Sequence, residues 1–240
     1  MQHTLCCAIV GALMAIAMPA ISEADTLESI ETQLTERWSR ISGFSATMHV
    51  EVDMTRSRIR VRSDMSGPLL VQRTENGVTR HRSELAGRTK AGPLGLLRAD
   101  AEVLTVSTGD VTFTEQRVRD EIKVTRSKRP DPTAPGGGDR ISSMKDRYTL
   151  RALPRERIGG REALVIEARS RNPKDEPVDR IRMFFDADTG IQLRITMFDD
   201  RGREITKVSF RDIRINPIIE DDAFEYAPPE GVPITEKEAE

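Results

Sequence analysis

Residues 180–198 read RIRMFFDADTGIQLRITMF. Ile181, Met183 and Phe185 alternate with Arg182, and after a turn Ile191, Leu193, Ile195 and Met197 alternate with Gln192, Arg194 and Thr196. Side chains two apart on a strand share a face, so this is a β-hairpin with one apolar side. Asp186, Asp188 and Gly190 supply the turn. Glu204 to Ile213 reads as a further strand, and Pro228-Pro229-Glu230-Gly231-Val232 closes the stretch. A continuous apolar face must be covered, and what covers it decides the function.

Upstream, Asp25 to Ile41 places Leu27, Ile30, Leu34, Trp38 and Ile41 three and four apart, which predicts an amphipathic helix with Asp25 and Glu28 as its capping box. Phe44 to Met54 alternates Ala46, Met48, Val50, Val52 and Met54 against Thr47, His49, Glu51 and Asp53, and Arg58 to Arg62 continues as a partner strand. So charged an outer face belongs in water. Asn76-Gly77 and Gly109-Asp110 mark hairpin turns. Ala91 to Leu97 reads as an apolar loop or a short lid helix. The proline- and glycine-rich run 128–138 reads as a surface loop within a single domain spanning 25–235. Asp139 to Arg147 predicts a short helix, Tyr148 to Leu153 and Ala163 to Arg169 predict strands, and 236–240 predicts a disordered tail. Counting alternating runs gives a meander of about ten antiparallel strands with one or two helices.

The chain has 240 residues, 37% hydrophobic, 32% charged and only 4% aromatic, so aliphatic side chains and methionine must build its core. Leu5 to Met18 is apolar but shorter than the roughly 20 residues of a membrane-spanning helix. Small residues follow up to Ala24, which fits a signal peptide cleaved before Asp25 and predicts export to the periplasm of a bacterium. Cys6 and Cys7 both lie in that segment, so the mature chain is expected to have no thiol chemistry, no disulfide and no thiolate metal site. Cleavage removes one charged residue, Glu23, leaving 37 basic against 38 acidic residues. That balance gives nucleic acid no attraction in bulk.

Candidate chemistry is sparse. His49 and His81 are the histidines left after cleavage, and they are far apart in sequence. No Gly-x-Ser-x-Gly elbow, phosphate loop or His-Glu-x-x-His motif occurs. Asp186 to Gly190 begins like a calcium loop, but Met197 stands where the closing glutamate belongs, so the run reads as a turn. Glu220-Asp221-Asp222 reads as a loop or cap, and Arg126 to Arg129 as a solubilising basic cluster. The expectation is a protein that is not an enzyme and uses no cofactor or metal.

The runs Tyr148-Thr149-Leu150, Arg157 to Ala163, Phe185 to Ile191, Phe198 to Glu204 and Phe224 to Val232 resemble, in this order, stretches of the LolA-like family of periplasmic lipoprotein carriers. The likeness covers about half of the chain by eye, and residues 63–140 match poorly. The resemblance implies a mainly β (α+β) fold: a curved antiparallel sheet forming an incomplete barrel, with helices as a lid over the concave apolar face. It implies a monomer that takes acyl chains of lipoproteins or other lipid from an inner-membrane releasing complex to an outer-membrane acceptor. The same fold occurs in sensor domains of envelope stress signalling, which bind lipid or a protein partner and are the alternative. On this reading the cavity is lined by Met48, Val50, Val52, Met54, Ile59, Val61, Leu104, Val106, Phe113, Leu164, Ile166, Met183, Phe185, Leu193, Ile195 and Met197. Leu94, Leu96 and Leu97 are lid candidates. The family's lid-gating arginine has Arg58, Arg60, Arg62 and Arg73 as candidates.

Overall fold

The computed structural model describes residues 25–56, 59–92, 97–128, 138–172 and 178–237. The leader 1–24, most of the proline-rich loop (129–137), Arg58, Leu94, Leu96 and 238–240 lie outside the described residues.

Helix α1 (Leu27–Ser39) precedes strands β1 (Gly43–Arg56), β2 (Ile59–Arg73), β3 (Thr79–Ala91), β4 (Leu97–Ser107), β5 (Thr112–Val118) and β6 (Glu121–Ser127). Helix α2 (Gly138–Met144) follows, then β7 (Tyr148–Ile158), β8 (Arg161–Ser170), β9 (Arg180–Asp186), β10 (Gln192–Phe198), β11 (Glu204–Ile215) and β12 (Ile234–Lys237). All twelve strands form one open sheet in the order β12-β6-β5-β4-β3-β2-β1-β11-β10-β9-β8-β7. Every pairing is antiparallel except β12 on β6.

The sheet bends around α1. Thirteen helical residues span about 20 Å. The seven neighbouring strands from β2 to β7 would cover about 29 Å if flat. Yet Ile30 and Leu34 of α1 join Leu69 and Val71 of β2 and Tyr148 of β7 in one buried cluster. Ion pairing and hydrogen bonding tether the helix to both strands: Arg155 of β7 holds Asp25 at 2.7 Å, and Arg73 of β2 donates to the Ser39 carbonyl. Gly67 and Gly87 permit the tight approach of β2 to β3, because a Cβ there would collide with the carbonyl oxygens of Glu84 and Asp64.

Several sequence expectations are corrected. The N-cap of α1 is Thr26, whose Oγ1 accepts from Ser29 N–H at 3.1 Å, while Asp25 serves Arg155 instead. Of the partner strand expected at Arg58 to Arg62, Ile59 to Arg62 open a fifteen-residue strand, β2. Strand β3, for which no alternation was read, is mostly polar: Arg80, Arg82, Glu84, Arg88 and Lys90 face one way, and His81, Ser83, Gly87 and Thr89 the other, with Leu85 as the large apolar residue among them. Glu236 and Lys237, expected in the tail, belong to β12 and pair with Arg126 and Ser127.

After β11 the chain returns over the outer face of β3–β6. A 3-10 turn at Asp221–Phe224 buries Phe224 beneath Arg80, with the guanidinium carbon 4.8 Å from the ring centre. Arg82 donates to the Ala223 and Glu225 carbonyls, and Tyr226 donates to Glu115 at 2.9 Å while its ring lies 5.0 Å from that of Phe113.

Candidate functional site

The inner face of the sheet is a graded apolar trough. Cross-strand register aligns Phe44 with Val71, Ala46 with Leu69, Met48 with Gly67, Val50 with Met65, Val52 with Ser63 and Met54 with Val61. At one end Phe44, Val71, Ile30 and Leu34 have no exposed surface, because α1 fills the space. Toward the other end Met48, Val50, Val52, Met54, Val61 and Met65 are only half-buried. At the lip Ile59 is 49% exposed and Leu97 is 62% exposed. Methionine suits such a wall because its unbranched side chain adapts to irregular partners.

The side chains expected in one lining separate into three groups. Met48, Val50, Val52, Met54 and Val61 line the half-open trough, with Ile59 at its lip and Met197 packed between trough and core. Leu164, Ile166, Met183, Phe185 and Ile195 share that face but belong to the filled core around α1. Leu104, Val106, Phe113 and Leu193 point to the opposite face. Leu104 pairs with Glu84 and Val106 with Arg82 and Phe113, under the returning C-terminal segment. Inner positions of β4 are instead Val103 and Thr105, so the strand phase is shifted by one residue. Leu193 is displaced by a β-bulge: Gln192 pairs with Phe185 and Arg194 with Phe184, leaving Leu193 as the extra residue. It packs with Ala163, Val165 and Phe184 in a second apolar cluster on the outer face. Of the lid candidates, Leu97 begins β4. Arg60 and Arg62 bind Asp53 at 2.6 and 3.1 Å, and Arg73 binds the end of α1.

Sequence reading missed the buried ion cluster on the outer face. Glu167 has no exposed surface, and Arg151, Arg182 and Arg169 donate to it at 2.6, 2.9 and 3.3 Å, with Arg180 at 3.7 Å. Burial pushes the Glu167 carboxyl up, and the arginine hydrogen bonds outweigh it, holding the group below its ordinary range. Its partners are spread over β7, β8 and β9, so no local motif could announce it. Asp186 acts as the turn former expected: its Oδ1 accepts from the Asp188 and Thr189 N–H groups at 2.9 Å, and Arg161 binds Oδ2 at 2.8 Å. Among the described residues no group of three or more His, Cys, Asp or Glu could hold a metal ion. No helix of the described residues is long and apolar enough to cross a membrane.

With this geometry in place, comparison with known proteins is decisive on one point. The family model of the MucB/RseB N-terminal domain matches residues 84–228. The chain belongs to the MucB/RseB N-terminal domain family. That refines the resemblance read from sequence: the specific family is MucB/RseB rather than the LolA carriers themselves. Among solved structures, MucB in the Pseudomonas aeruginosa MucA/MucB complex is 18% identical at a TM-score of 0.48, covering 82% of this chain and 59% of that one. An uncharacterised conserved protein of Thermus thermophilus is 11% identical at a TM-score of 0.50, covering 88% and 98%, and shows a shared fold alone. An uncharacterised protein of Methanocaldococcus jannaschii is 27% identical over 97 residues, 40% of this chain and 26% of its own length. This MucB/RseB-type chain thus spans about six tenths of the MucB chain and a quarter of the archaeal relative.

Proposed function

We propose that this chain is a periplasmic regulatory domain of the MucB/RseB type, whose half-open trough receives an apolar segment of a protein partner. The family match over residues 84–228 carries this reading. MucB itself has been solved in complex with MucA(peri), which makes a periplasmic polypeptide the natural class of partner. The geometry supports it: the inner face is deep only where α1 already fills it, and the remaining length is a shallow wall ending in exposed Ile59 and Leu97. A surface of that shape suits a segment laid along it, held by alternate side chains. The role requires binding and release and no covalent chemistry. The predicted leader would deliver the single domain to the periplasm.

The test is native mass spectrometry of the protein isolated from its own host. A polypeptide adduct that Met54→Glu removes is the expected result. An adduct of acyl-lipid mass alone, also removed by Met54→Glu, would restore the carrier reading.

A further inference from the structure

A second site lies on the outer face, away from the trough. The β10–β11 pairing sets Arg194 directly opposite Ser209. Lys207 and Arg211, two residues either side of Ser209, fall on the same face. Diagonal neighbours on a sheet sit about 7–8 Å apart, so three cations are crowded around one hydroxyl. They border a cleft of ≈ 540 Å³ that also includes Ile158 and Gly159 of the β7–β8 hairpin, Arg161, Leu193, Asp212 and Ile213.

The charges there are unevenly satisfied. Lys207 binds Glu51 at 2.6 Å and Arg161 binds Asp186 at 2.8 Å. The rim carboxylate Asp212 accepts from Thr47 Oγ1 at 3.1 Å. Arg211 is exposed and has no carboxylate partner among the described residues. Arg194 lies over the Phe184 ring at 5.7 Å, and its Nε is buried with no hydrogen-bond partner among the described residues. A buried donor left unpaired is costly, and an arginine fork matches the two oxygens of a carboxylate or phosphate. The floor beside it is apolar, because the β10 bulge drops Leu193 into the outer cluster and Ile158 and Ile213 pack against that cluster. The β11 irregularity that holds Asp212 at a φ of 53° places Ile213 there.

We propose that this cleft binds an oxyanion carried on a short apolar body, a carboxylate or a phosphate monoester, with Arg194 and Arg211 holding the anion and Leu193, Ile158 and Ile213 the apolar part. The site is independent of the trough and of whatever the trough holds. Its volume is that of a small-molecule pocket, and it lies apart from the Glu167 cluster, whose arginines already share a carboxylate.

The test is calorimetric titration of the full chain with octyl phosphate, octanoate, inorganic phosphate and the neutral octyl glucoside, each below its micellar concentration. Octyl phosphate or octanoate should bind about tenfold or more tightly than inorganic phosphate and octyl glucoside, and the stronger of the two names the anion. Arg211→Gln, an exposed position whose loss leaves the core intact, should weaken that binding severalfold. The double variant with Arg194→Gln should abolish it, and Met54→Glu in the trough should leave it unchanged. Equal binding of octyl glucoside, equal binding of inorganic phosphate, or unaltered affinity in Arg211→Gln would overturn the proposal. Loss of binding in Met54→Glu would also overturn it, by moving the ligand to the trough.

Discussion

Glu167 is an acid that four arginines on three strands make tolerable inside the protein. Removing its charge should leave those guanidiniums facing one another. Glu167→Gln is expected to lower stability by about 2–4 kcal/mol in urea unfolding at neutral pH. The carboxyl is held below its ordinary value of 4.5 in the folded state. Its contribution is therefore present above pH 4.5 and is lost as pH falls through the lower folded value. Urea midpoints taken from about pH 6 down to about pH 3 should fall for the wild type and fall less for Glu167→Gln; parallel curves would contradict this. Leu193 teaches a different lesson at the same scale. Its alternation with Ile191 and Ile195 was legible, but one bulge residue sends it to the other face. Periodicity cannot register a bulge whose residues are all ordinary strand formers.

Among the elements, the apolar strands β1, β8, β9 and β10 and helix α1 announced themselves, because each has one face committed to a shared core. Strand β3 did not, since it lies where the sheet has outgrown its helix and both faces carry polar side chains. The returning C-terminal segment was equally hidden: its partners Arg80, Arg82, Phe113 and Glu115 are more than a hundred residues away. Burial and its hydrogen bond to Glu115 push the Tyr226 hydroxyl up to about 12. Ultraviolet titration comparing wild type with Tyr226→Phe should assign a tyrosine ionisation near that value, and an ordinary ionisation near 10 would mean the segment is undocked. The raised value also implies a contribution present below pH 10 and lost as pH approaches 12. Tyr226→Phe should cost about 1–2 kcal/mol, because Glu115 loses a buried partner. Gly67→Ala should cost at least about 2 kcal/mol in the same assay, by forcing β2 away from the Glu84 carbonyl; a neutral effect would deny that this close crossing shapes the sheet.

At the scale of the whole molecule, one sheet carries two differently built faces. Its inner face passes from a core sealed by α1 to a half-open methionine-rich wall, and its outer face segregates arginine although the chain's net charge is only −2. The antiparallel meander and its amphipathic helix were readable from alternation and spacing, while the curvature came from the resemblance to the LolA-like family. Most of the trough's apolar wall was readable from that alternation: Met48, Val50, Val52, Met54 and Val61 were named and Met65 was not. The division between filled core and open wall was not, because burial by α1 depends on where the helix lies, which no strand's own pattern records. The regulatory reading rests on the open wall receiving a polypeptide. Photo-crosslinking in living host cells, with the reactive side chain placed at Met54 on the inner face or at Asp53 on the outer face, tests it most directly. A crosslink from position 54 to a periplasmic polypeptide, and none to that polypeptide from position 53, is the expected result. Crosslinks from position 54 to lipid alone, or equal yields from the two positions, would contradict it.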